Sequence, residues 1–116
     1  MDEHQIKKAL APAQWETLKL ALESECLDIK RVSSVSLQFE STSAHEATVR
    51  DMRTGLIASL RYDPNIPCVH YATPRRKNHF AFQVSPDGTM VQFVEDGASI
   101  MVQEISMRII QYVLGQ

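Results

Sequence analysis

The sequence predicts an α+β fold in two layers: an antiparallel meander of five or six strands, with an N-terminal and a C-terminal helix packed on one face. Two observations predict it. Apolar residues recur every three or four positions near both ends of the chain and every second position between them. Turn residues break the central stretch at short intervals, the spacing of hairpins rather than of βαβ crossovers. No repeat, low-complexity tract or linker divides the 116 residues, so residues 1–116 read as a single domain.

The first helix is expected to begin at Pro12, which suits a first turn because its missing N–H has no partner there anyway. From Ala13 to about Ile29 no Gly or Pro interrupts, and Trp15, Leu18, Leu22, Cys26 and Ile29 make one apolar stripe. Lys30 and Arg31 suit the negative end of the helix dipole. The period then becomes two: Val35, Leu37 and Phe39 alternate with polar residues, and Ser41 to His45 reads as a turn. Ala47, Val49 and Asp51 alternate next, followed by a turn at Thr54-Gly55 and a strand through Leu56, Ala58, Leu60 and Tyr62. Pro64 and Pro67 exclude a ladder between them, and Cys68 to Thr73 is a short strand.

Phe80, Phe82 and Val84 lead into Ser85-Pro86-Asp87-Gly88, a type I turn signal, and Met90 to Glu95 returns as the hairpin partner. A two-residue loop would pair Phe82 with Val91 and Phe80 with Phe93, while a glycine bulge at Gly88 would slip this by one. After Asp96-Gly97, Ala98 to Leu114 reads as a helix with the stripe Met101, Ile105, Ile109, Tyr112 and Val113. Ser99 to Val102, rich in β-branched residues, could instead continue as strand. Strands spaced at ~4.8 Å make a sheet about 25–30 Å wide. Two helices, each ~10 Å across, would be needed to cover one face of it. The other face would then carry Gln38, Glu40, Thr48, Arg50, Ser59, Arg61, His70 and Gln83.

Composition bounds the function. Apolar residues make up 44% and the formal net charge is −2, which excludes intrinsic disorder and argues against a dedicated nucleic-acid binder. No apolar run of ~20 residues could span a bilayer, and the start Met-Asp-Glu-His is not a secretory signal, so the cytoplasm is expected and no membrane partner. Cys26 and Cys68 stand outside any CxxC pair, and the spacings of His4, His45, His70 and His79 match no metal motif, so no metal and no cofactor are expected. No GxSxG or Gly-rich phosphate loop occurs, and no catalytic residue is expected.

Three features remain for function. Leu20, Leu27, Ile100, Met107, Ile110 and Leu114 are apolar positions beyond one stripe per helix, which point to a homodimer or a protein partner engaged through helix faces or a sheet edge. A binding or assembly module without catalysis is therefore the leading expectation. The open sheet face around Arg50, Arg61 and His70 is the alternative, as a small-ligand or enzymatic site. The connection Arg75-Arg76-Lys77, with His79 nearby, offers bases beside the aromatics Tyr71 and Phe80, a pattern for binding a nucleic acid or another anion.

Overall fold

The computed structural model describes residues 2–115. Its elements are α1 (Glu3–Val32), β1 (Leu37–Ser43), β2 (Glu46–Asp51), β3 (Ile57–Asp63), β4 (Cys68–Ala72), β5 (Lys77–Val84), β6 (Val91–Glu95), β7 (Ala98–Ile100) and α2 (Val102–Leu114). The seven strands form one antiparallel sheet in sequence order. Both helices pack on one of its faces and against each other.

α1 starts nine residues earlier than Pro12 would suggest, and Pro12 lies inside it. The reason is a capping box: Asp2 Oδ1 accepts from the Gln5 backbone N–H at 2.8 Å, and the Asp2 N–H donates to Gln5 Oε1. Ile6, Leu10 and Ala11 then pack against the core, and this burial offsets the hydrogen bond that Pro12 removes. The expected stripe faces the core, with Trp15, Leu18, Leu22 and Cys26 buried against the sheet and Ile29 half-buried. Trp15 stacks on Tyr62 at 6.0 Å between ring centroids and donates its indole N–H to the Ala44 carbonyl at 2.9 Å.

Alternation works as expected through β1 to β4, except that Val35 and Leu56 lie before β1 and β3, Thr73 lies after β4, and β1 continues to Ser43, which leaves only Ala44 and His45 in the turn. In the β5–β6 hairpin both expected registers are replaced. Phe82 pairs with Phe93 and Val84 with Val91, so the shift is two residues from the first expectation and the faces are unchanged. The loop is longer than two residues because Asp87 organises it. Its Oδ1 accepts from the Ser85 hydroxyl at 2.6 Å and from the Thr89 N–H at 3.1 Å, and the Ser85 N–H reaches the Met90 carbonyl at 2.9 Å.

The seventh strand comes from Asp96-Gly97. Both residues have positive φ, 53° and 85°, the geometry of a two-residue hairpin loop that pairs Glu95 with Ala98. Ile100 therefore belongs to β7 and is buried, and the chain becomes helical only at Val102. Met101 is the α2 N-cap and 70% exposed, so it is not part of the helix stripe. Ile105, Ile109, Ile110 and Val113 fill the space between α2, the sheet and α1.

Candidate functional site

The pairing registers align the outward residues of neighbouring strands in rows across the uncovered face. Glu40, Thr48 and Ser59 lie opposite one another, followed by Ala72 and Lys77. The next row runs Glu46, Arg61, His70, His79. Gln38 and Arg50 form a pair, as do Gln83 and Gln92. All eight residues assigned to the open face by alternation are there.

Centred on the first two rows is a cleft of about 450 Å³, whose polar walls include Glu46, Thr48, Ser59, Arg61, His70 and Lys77. Charged residues elsewhere are mostly engaged, for example Lys7 with Glu3, Lys19 with Glu16, and Arg108 with Glu104. Arg50, Arg61 and Lys77, like Lys8 and Lys30 on α1, make no ion pair among the described residues. Their cationic groups are thus available to a ligand. At the lower end of the same face, Asp63 accepts from the backbone N–H groups of Asn65 and Ile66, and these bonds hold its carboxyl below the ordinary range. Cys68 Sγ lies 3.3 Å from His70 Nε2, and burial pushes its thiol up, which keeps it a thiol rather than a nucleophilic thiolate. Cys26 is buried and pushed up to about 11 for the same reason, burial first and the nearby Glu25 and Glu23 second; both cysteines are free. Among the described residues no group of three or more His, Cys, Asp or Glu is arranged to hold a metal ion.

The basic triplet does not act as a unit. The Arg75 guanidinium donates to the Gly115 carbonyl at 2.6 Å and ties the β4–β5 turn to the end of α2. Arg76 Nε donates to the Tyr71 hydroxyl at 2.9 Å, and its Nη2 reaches Asp96 at 3.1 Å. Only Lys77 points to the open face. At the centre of this cluster sits the buried carboxylate of Glu95, which accepts from the Tyr71 hydroxyl, from Asn78 Nδ2 at 3.1 Å and from Arg108 at 3.2 Å. Sequence reading missed this network because its partners lie 13 to 24 residues apart. The one legible hint was an acid, Glu95, at an inward position of an alternating strand.

The six surplus apolar residues divide. Ile100 and Ile110 are buried within the protein and Leu114 is half-buried in the groove between the helices. Leu20, Leu27 and Met107 stay on the surface at 68%, 51% and 52% exposure. No helix among the described residues is long and apolar enough to cross a membrane. No family model, curated protein or solved structure matches the chain.

Proposed function

We propose that this protein is a binding module that takes a small anionic ligand on the open face of its sheet. The observation that carries this reading is the convergence of the unpaired Arg61 and Lys77, together with His70, on one cleft of about 450 Å³. Pockets of roughly 300–1,000 Å³ with a few convergent polar groups are the usual setting of small-molecule sites. The hydroxyls of Thr48 and Ser59 add neutral hydrogen-bonding groups, and Glu46 supplies the one acid of the cleft, suited to a ligand hydroxyl or amine. The test is an amide NMR screen of small carboxylates, phosphates and neutral fragments. Perturbations should cluster at Ser59, Arg61 and His70, and Arg61→Ala should weaken the best hit by at least tenfold. Hits that map elsewhere, or that ignore Arg61→Ala, would refute the reading.

Self-association is a second reading, favoured by Leu20 and Leu27. They lie seven residues apart on the side of α1 away from the core, and both are more than half exposed. Glu16 stands four residues before Leu20 and Arg31 four after Leu27. Two α1 helices packed antiparallel would thus bring leucine to leucine and an acid near a base, the self-complementarity a two-fold interface needs. Light scattering should give twice 13.1 kDa at high concentration, and Leu20→Glu should return the monomer without unfolding it. A monomer throughout would end this second reading and leave the first untouched.

A further inference from the structure

We propose that the ligand of the open face carries two separated anionic groups and binds astride His70. This rests on the ligand-binding reading above and specifies its chemistry. Two clefts meet at His70. One is the 450 Å³ cleft with Arg61 and Lys77, and the other, of about 310 Å³, is lined by His4, Lys7, Cys68 and His79 as well as His70. On β4, His70 has Arg61 directly opposite on one side and His79 on the other, the two imidazole centroids 5.8 Å apart.

Each lobe therefore has its own basic group: Arg61 and Lys77 in the first, and in the second Lys7 of α1, beside the hydrogen-bonding imidazoles of His4 and His79. The acids facing them are few. Glu46 lines the first lobe, Glu3 reaches Lys7 at 3.5 Å, and Asp63, which keeps its charge while accepting from two backbone N–H groups, acts on Arg61 and His70 from the end of β3. With strands spaced at ~4.8 Å, the backbones of β3, which carries Arg61, and β5, which carries His79, run about 10 Å apart. A single carboxylate or phosphate bound between Lys7 and His79 leaves Arg61 and Lys77 without an anionic partner. Each lobe alone is open to water and screened by salt, so a single anion is held weakly there. Two anionic groups on one short linker make the second contact intramolecular, at an effective concentration in the ~mM range, and gain affinity without any new contact.

The test compares acetate with adipate, one carboxylate against two on a four-carbon spacer, by NMR titration of the full chain at low ionic strength. Adipate should bind at least tenfold tighter than acetate and perturb residues of both lobes. Arg61→Gln and His79→Gln, both at exposed positions, should each reduce adipate to the affinity of acetate. Equal affinity of the two anions, or an adipate advantage that survives both substitutions, overturns the two-group proposal while leaving a single-anion site standing. Binding of neutral fragments alone at this face would overturn both the proposal and the anionic reading beneath it.

Discussion

Tyr71, on β4, donates its phenolic proton to the buried carboxylate of Glu95 on β6, across the intervening strand β5. This bond joins the middle of the sheet to its far hairpin, and Arg108 extends it to α2 by donating to the other oxygen of the same carboxylate. Burial first, and the Glu95 carboxylate second, push the Tyr71 hydroxyl up to about 12. A group whose pKa is raised in the folded state contributes stability below its unfolded pKa, about 10 for tyrosine, and loses it as the pH climbs through the folded value. Stability should therefore fall between about pH 10 and 12. Tyr71→Phe should reduce that fall, leaving the part due to Tyr62, whose hydroxyl burial also pushes up, and cost about 1 kcal/mol at neutral pH. Urea titrations across the alkaline range check both.

Glu95→Ala is expected to be more damaging than Tyr71→Phe. It leaves the Tyr71 hydroxyl, Asn78 and two guanidinium groups facing a vacated, largely dry position. Removing one member of a buried charged cluster typically costs roughly 3–5 kcal/mol. The partly exposed arginines can turn to water, which places the loss at the lower end, about 3 kcal/mol. Equilibrium unfolding of the two variants, ranked against the parent, is the measurement.

The β5–β6 loop makes an acid-side prediction. The Ser85 and Thr89 side chains and the Thr89 N–H donate to Asp87 and hold its carboxyl down at about 2. Here the folded pKa is depressed. The loop's contribution is thus present above the unfolded value, near 3.9, and is lost as the pH falls toward 2. Carboxyl NMR should find Asp87 titrating well below its ordinary range, and Asp87→Ala should increase hydrogen exchange at Met90 and Ser85.

Pro12 supplies a stabilising variant. It is exposed in the interior of α1, where it removes one backbone hydrogen bond and crowds the preceding turn. Pro12→Ala should raise stability by about 1–3 kcal/mol, the upper end being the full propensity difference. A melting temperature unchanged or lowered would show that the helix has adapted to the ring.

Trp15 marks the opposite extreme. Trp15→Ala removes a fully buried ring, its stack on Tyr62 and its bond to the Ala44 carbonyl, and should cost about 3–5 kcal/mol. Trp15→Phe, which keeps much of the volume, should cost less, and a chemical denaturation series separates the two.

Much of this architecture was legible in periodicity, because a half-buried strand and a half-buried helix each repeat their apolar residues at a fixed interval. The eight open-face residues followed from that alone. Features controlled by local hydrogen bonds were harder to read. The early start of α1 depends on Asp2 and Gln5 outweighing Pro12, and the β5–β6 register depends on Asp87 holding a wider loop. β7 was signalled by Asp96-Gly97, a favoured tight-hairpin pair, but Ala98 to Leu114 carried enough helical spacing to mask it. Of the candidate site, Arg61 and His70 could be placed on one face, but the engagement of Arg75 and Arg76 could not be foreseen. Their partners, Gly115 and Asp96, come from segments 40 and 20 residues away.

The strictly sequential order of the sheet has a kinetic consequence. Every strand pairs with the one just before it, so the sheet can zip from hairpin to hairpin with short loop closures at each step. The expensive closure is left to the ends of the chain, where α1 must find α2 about 70 residues beyond its own end. Folding should thus be limited by the docking of the two helices, with substitutions at Leu22 or Ile110 slowing it more than substitutions at strand turns.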